Sequence, residues 1–489
     1  MKRFISLLLV SLMLLTAFTA CTNKAGDDNT TQETTLAEPD SECTDIPDEI
    51  SELPDDLYFN NSDFKYLLRS DRSGALQEFQ IDSLSEESTT LDRAVYNRQL
   101  SIESRLGVRF VYDSVEEANM VTVVRNDIQS NMNSFDVAVP GASKAPTLAL
   151  EGLLQNWWDV PYVSLDKVWW GSRSGMADSL TVNGNLYFIS GDASNLAVGK
   201  ALCMYFNKAL LDLSGVISSE ELYREVLDYQ WTIERLLGLS SMLSKDMDGD
   251  GMVSSEADLY GCNFYLKTIA DNYFAAFDIP IVTQDSYGDY TVALNNDRMI
   301  TAIEKLHALC YEDDRTYLTP DKVSSVNFFT SNHAVFTHGG FEWAVDFRNM
   351  ADDYGIIPYP MLDAEQGHYG TSLSDVYSTF IVSKSSDKLD MIGAVMELTG
   401  SLSYETTTYA YYDVLLKGHS ARDPISVTML DLIHDSIDYN IGFVYGPVIG
   451  SPHQIFRRML ATPTSNNWTN DWTSRGATYK QKLDQLLNS

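Results

Sequence analysis

The chain has 489 residues, enough for two cores, and its 44% hydrophobic and 21% charged content is that of a soluble globular protein. Acidic residues outnumber basic ones 69 to 34; the formal net charge of -35 repels phosphate backbones and anionic headgroups, so no nucleic-acid partner is expected. Five cysteines with no CxxC pair and no Cys/His cluster at zinc spacing argue against a disulfide framework and a zinc site, and Cys203, Cys262 and Cys310 sit in apolar runs that read as core.

Lys2 and Arg3 precede an almost wholly apolar run from Ile5 to Leu15. It is too short and wrongly flanked for a membrane span and is laid out as a secretory signal over residues 1–20. The segment ends in Phe18-Thr19-Ala20-Cys21. Small residues before a cysteine resemble the bacterial lipobox, with Phe18 where Leu is usual. That resemblance implies lipidation of Cys21 and a body held at the extracellular face of the cell membrane, since acyl chains contribute about 0.8 kcal/mol per buried CH2. Residues 21–56 are polar, acidic and Thr-rich, unable to bury a core, and read as an extended, disordered tether.

Phe64–Leu68 reads as the first strand of the body. A helix is expected over Leu91–Leu106, with Val95, Ile102 and Leu106 on one face and Gly107 as its C-cap. Strands are expected at Val108–Tyr112 and at Phe135–Val139, the latter stopped by Pro140-Gly141. Strands separated by helices predict an α/β fold on parallel sheets. Further strands are expected at Tyr187–Ile189, Ala201–Tyr205, Ala334–Phe336, Ile356-Ile357 and Thr379–Val382. Helices are expected from Thr232, as N-cap with Glu234 in the first turn, and over Met299–Tyr311 and Met391–Leu402.

The order of local motifs resembles the family 1 extracellular solute-binding proteins, the maltose-binding-protein-like group that serves sugar importers. Gly152-Leu153-Leu154 follows the Phe135–Val139 strand. Pro161-Tyr162 leads to Trp169-Trp170, Val182-Asn183-Gly184-Asn185-Leu186-Tyr187 matches x-N-G-K-x-Y, and Tyr205-Phe206-Asn207-Lys208 matches Y-x-N-K. Asp353 to Pro360 matches D-x-G-x-x-P-x-P. The resemblance covers nearly everything from about Leu57 onward. It implies a two-lobe periplasmic-binding-protein-like fold (type II) with a hinge, lobe one at residues 57–195 plus 377–423 and lobe two at residues 196–376 plus 424–489. It implies a sugar ligand, an ABC permease as membrane partner, a monomer, and no enzymatic chemistry.

Sugar recognition needs aromatic faces for the C–H surface of a ring and fixed polar groups for its hydroxyls. Ser143 and Lys144 follow a strand at the edge where open α/β sheets bind ligands. Asp192 and Asn195 lie near the expected hinge, as do Asp375 and Tyr377. Gly339-Gly340-Phe341-Glu342-Trp343 resembles the segment that supplies a stacking aromatic from lobe two; Trp343 could instead pack on a helix over Ala344–Met350. Tyr265 is a further candidate for the lining.

Asp246-Met247-Asp248-Gly249-Asp250-Gly251 has acids at positions one, three and five and Gly at six, the start of a calcium loop. Met252 would follow as a backbone ligand. Position twelve is Ala257, so Asp258, displaced by one, is the expected last ligand. Such an ion would be structural, and no cofactor is otherwise required. Sequence signatures HExxH, GxSxG and GxxxxGK[ST] are missing, and the histidines are scattered. A secreted carbohydrate-active hydrolase, or a binder of peptide or another polar solute, remain the alternatives at this stage.

Overall fold

The computed structural model describes residues 53–488 apart from 73, 172–174, 375 and 417–423. The signal segment, Cys21 and Asp375 lie outside the described residues. Leu53 already belongs to the core at 9% exposure, and Arg105 donates to the carbonyls of Pro54 and Leu57. The expected tether therefore gives way to the body at residue 53: one apolar side chain and one guanidinium fasten residues 53–56.

The first lobe is built on β1 (Ser62–Arg69). Helix α1 (Thr90–Leu106) starts at a capping box between Thr89 and Asp92 and ends at Gly107, whose φ of 57° is the left-handed cap a glycine supplies freely. Val95, Ile102 and Leu106 are buried as the periodicity requires. β2 (Val108–Val115), α2 (Glu117–Ser130), β3 (Val137–Ala138) and α3 (Ala145–Leu150) complete a parallel sheet in the order β2-β1-β3. The strand expected over Phe135–Val139 pairs as β3 only at its centre.

After α4 (Asn195–Gly199) the chain enters a second lobe. Its elements are β4 (Leu202–Asn207), α5 (Ile233–Leu243), β5 (Tyr260–Tyr265), a hairpin of β6 (Val282–Gln284) and β7 (Tyr290–Val292), α6 (Asp297–Tyr311), β8 (Thr316–Thr319), β9 (Ala334–Gly340) and β10 (Tyr354–Ile357). Five of these strands form a sheet in the order β10-β4-β9-β5-β8. This sheet is mixed, which corrects the expectation of parallel sheets throughout. β4 starts at the seam between lobes, with Leu202 opposite Gly340, and runs away from it, whereas β9 runs back to it. β5 lies parallel to both β8 and β9. Burial pushes the thiols of Cys203, Cys262 and Cys310 up, so all three are inert core residues.

The chain then returns to the first lobe. Leu373 bridges Ala201, Ser378 bridges Gly141, Phe380 bridges Ile189 and Ile381 bridges Ala138, all antiparallel. The strands expected at Tyr187–Ile189 and Thr379–Val382 are thus extended segments that meet in single bridges. Helix α7 (Leu389–Leu402) follows and is buried on nearly every side. Helices α8 (Thr408–Leu415), α9 (Pro424–Asp435), α10 (Ile441–Val444) and α11 (Trp468–Leu487) end the chain. No helix among the described residues is long and apolar enough to cross a membrane.

α7 reaches its site because Gly393 lies directly under Pro161: a Cβ there would stand 1.7 Å from the Pro161 carbonyl oxygen. Gly393→Ala should lower stability by about 1–3 kcal/mol, read as a drop in melting temperature, because backbone rather than a flexible side chain must yield.

Candidate functional site

The C-terminal ends of β1 and β3 in one lobe and of β9 in the other meet the chain's crossings between lobes: Arg69 bonds Val376 and Ser378, Ala138 bridges Ile381, and Phe341 N donates to Ala201 O. A buried polar network holds this seam. Glu78, 3% exposed, accepts from Ser194 Oγ at 2.5 Å and Leu196 N at 3.1 Å on the first crossing, and from Ser378 Oγ at 2.6 Å on the return. Arg69, at the end of β1, donates to Val376 O at 2.9 Å and to Ser378 Oγ at 2.5 Å. Glu117 lies 3.6 Å from Arg69 Nε and accepts Gly141 N at 3.2 Å. Burial pushes the Glu78 carboxyl up, while Arg69 and the two hydroxyls favour its charged form.

Ser143 and Lys144 are half-buried at the start of α3, and the neighbouring Ala142 N donates to Tyr377 O at 2.9 Å. The structure therefore brings together these two residues and Tyr377, which come from distant parts of the sequence. Tyr377 is buried with its ring 6.2 Å from that of Tyr439, and its hydroxyl has no hydrogen-bond partner among the described residues. Asn195 is 4% exposed and neither atom of its amide is paired among them. Buried polar atoms left unpaired cost stability unless something else uses them.

Glu342 forms an ion pair with Lys200, which follows α4, so the two meet at the seam with both side chains partly exposed. Tyr265 is half-buried at the end of β5, with the Lys267 ammonium 5.6 Å from its ring. Three expectations need correction. Phe341 is wholly buried beside Tyr412 and belongs to the core. Trp343 is 5% exposed: one side lies against the Gly339 backbone and the Lys322 ammonium sits 5.2 Å from its ring, so no face is open for stacking. It packs in a 3-10 turn over Phe341–Val345, where an α-helix over Ala344–Met350 was expected. Asp192 is also committed internally, accepting from Thr408 Oγ1 at 2.8 Å and contacting His434 Nε2 at 2.9 Å.

Sequence reasoning missed Lys200, Glu78, Arg69, His434 and Asn272. Asn272 is buried; its Oδ1 accepts Ser372 N on the return crossing, and its Nδ2 has no partner. None of the five sits in a motif. A small cavity of about 30 Å³ adjoins the Asp192–His434 pair, lined among others by Gly191, Val198, Tyr404 and Tyr439.

In the acidic loop, the carboxylates of Asp246, Asp248 and Asp250 converge, with one oxygen from each within 4.8 Å of the others. Met252 donates its amide to Asp250 Oδ1 at 2.8 Å. Asp258 departs from its expected role. It is wholly buried, accepts the amides of Met247, Ser254 and Ser255, and is held well below the usual carboxylate range by them. It closes the loop through backbone bonds and stands outside the three-carboxylate group.

No protein-family profile and no curated sequence matches this chain. The fold is nonetheless defined: it is the two-lobe α/β fold of the solute-binding proteins. The structure of M. tuberculosis UspC is similar with a TM-score of 0.56 at 15% identity, covering 86% of this chain and 100% of that one. The galacto-N-biose-/lacto-N-biose I-binding protein of the ABC transporter from Bifidobacterium longum, in complex with lacto-N-biose, gives 0.55 at 12% identity over 87% and 98%. The GacH receptor of Streptomyces glaucescens, solved unliganded and with acarbose, gives 0.52 at 14% over 88% and 99%.

His434 yields a prediction about pH. Burial opposes its charging, but Asp192 and then Asp435 outweigh it, and its pKa is pushed up to about 10 from 6.5. A raised pKa means that the pair's contribution is complete below about 6.5 and is lost as pH rises through about 10. The melting-temperature gap between wild type and His434→Gln should therefore be widest near neutral and acidic pH and should close across that window.

Proposed function

We propose that this protein is the extracellular, lipid-anchored substrate-binding component of an ABC importer. It binds a carbohydrate between its lobes and presents it unchanged to a membrane permease. The observation that carries this reading is the two-lobe fold with buried, unpaired polar groups at the seam: the amide of Asn195, the hydroxyl of Tyr377 and Nδ2 of Asn272. A sugar is dense in hydroxyls that must be paired when buried, and these groups are held ready by packing rather than by partners of their own. Ser143, Lys144, Lys200, Glu342 and Tyr265 supply half-buried polar and aromatic groups around them. Proteins of this fold bind lacto-N-biose and acarbose. The chain acts as a monomer, with lobe one at residues 57–195 plus 377–423 and lobe two at residues 196–376 plus 424–489. Ligand shifts the population towards the closed form by its difference in affinity for the two states, and the permease reads that form.

The test is thermal melting of the protein against a panel of mono- and oligosaccharides, with product analysis of the same samples. A ligand at one hundred times its Kd should add about 2.7 kcal/mol of stability, with no product formed. Asn195→Ala should weaken the ligand about tenfold while leaving the free protein as stable or more so, since it removes two unpaired buried atoms. No shift with any sugar would transfer the assignment to peptides or other polar solutes, and product would transfer it to a hydrolase.

A calcium ion in the loop at Asp246 is the second part of the reading. It is supported by the loop motif and by the convergence of Asp246, Asp248 and Asp250. Those three carboxylates and the Met252 carbonyl would hold the ion, which would neutralise their mutual repulsion and stiffen the loop ahead of β5. Melting should rise in calcium over chelator for the wild type and not for Asp248→Ala. Equal melting in both would remove the ion from the account.

A further inference from the structure

Charge is balanced differently at the seam than in the rest of the chain. Over the whole sequence acids outnumber bases 69 to 34. Around the C-terminal edge of the first lobe's sheet, Asp71, Glu78 and Glu117 are matched one for one by Arg69, Arg72 and Lys144. The acids there already have partners. Glu78 accepts from Ser194, Leu196 and Ser378, Asp71 Oδ1 accepts Glu117 N at 2.8 Å, and Glu117 accepts Gly141 N and lies beside Arg69. Arg69 is engaged as well, with Val376, Ser378 and Glu117.

Lys144 and Arg72 are not. Neither side chain makes an ion pair or a hydrogen bond among the described residues. Glu117 brings the two to one edge: it gives its amide to Asp71, next to Arg72, and takes an amide from Gly141, three residues before Lys144. Arg72 is exposed there and Lys144 is half-buried. Further unpaired donors follow along the return crossing. Ser372 N bonds Asn272 Oδ1, which leaves Nδ2 of that amide unpaired among the described residues, and Ala142 N bonds the carbonyl of Tyr377. Of the unpaired groups at Arg72, Lys144, Asn195, Asn272 and Tyr377, only Asn195 Oδ1 is an obligate acceptor. Sugar hydroxyls donate and accept alike and are served by a balanced set, whereas a carboxylate only accepts. An ammonium and a guanidinium with no acid of their own match a ligand that brings the negative charge with it.

We propose that the ligand is an acidic saccharide, carrying a carboxylate in the manner of a uronic acid, and that Lys144 receives that carboxylate with Arg72 as the second cation. The inference rests on the carbohydrate reading for the sugar and on this edge alone for the charge. The net charge of the chain does not oppose it, because at physiological salt exposed charges more than about 8 Å apart are largely screened and the contact is decided locally.

The experiment is calorimetric titration of the protein with uronate oligosaccharides and with their neutral counterparts of the same linkage, at low and high salt. Wild type is compared with Lys144→Gln, Lys144→Arg and Arg72→Gln. Wild type should prefer the uronate, and its affinity should fall as salt rises. Lys144→Gln should lose about 10- to 100-fold, the worth of a charge-assisted hydrogen bond, and Lys144→Arg should recover most of it. Arg72→Gln should lose less, because its charge is exposed. Melting of the unliganded variants should match wild type, since neither side chain has a partner to lose. Equal affinity for uronate and neutral sugar, or a neutral sugar bound unchanged by Lys144→Gln, would overturn the carboxylate and keep the carbohydrate reading. Binding of succinate but of no sugar, lost in Lys144→Gln, would keep the anion site and discard the carbohydrate reading. No heat with any of these probes would overturn both.

Discussion

Everything at the seam depends on one buried carboxylate. Glu78 lies in the first lobe, and its two oxygens gather the first crossing through Ser194 and Leu196 and the return crossing through Ser378. Arg69 approaches Ser378 from the other side and also ties Val376. A charge taken out of water is tolerated only when its lone pairs are filled, and here they are filled by the very segments that join the lobes. The position of those segments is consequently fixed at their first-lobe ends.

That constraint explains the division of labour around the seam. Polar groups with internal partners, such as Asp192 with Thr408 and His434, serve as structure. Polar groups for which the described residues supply no partner, at Asn195, Tyr377 and Asn272, carry an energetic cost. The aromatic groups divide likewise. Trp343 is buried against Gly339 and the ammonium of Lys322, while Tyr265 stays half-buried at a strand end. Affinity in such a site comes from a small number of prepared groups, not from the abundance of Tyr and Trp in the chain.

The elements were legible where a local rule governs them. The glycine cap at Gly107 and the apolar face of Val95, Ile102 and Leu106 gave the first helix to within one residue. The mixed sheet was not legible. Hydrophobic pattern is the same for a strand run in either direction, so the reversal of β4 follows only from where the crossing delivers the chain. The start of the body was misplaced for a related reason. Residues 53–56 carry a single large apolar side chain, Leu53, and their order comes from its burial and from a guanidinium more than forty positions away.

By itself the sequence determined the α/β class, the order of motifs that marks the two-lobe fold and the acid spacing of the Asp246 loop. Each of these is written in neighbouring residues, because backbone geometry and short-range periodicity act over a few positions. Only the tertiary structure decided which polar side chains are spent and which are available. Asp192 and His434 are 242 residues apart, and Glu78 and Ser378 are 300 apart. Whether a buried polar atom has a partner is a property of the space around it, and no local pattern encodes that space.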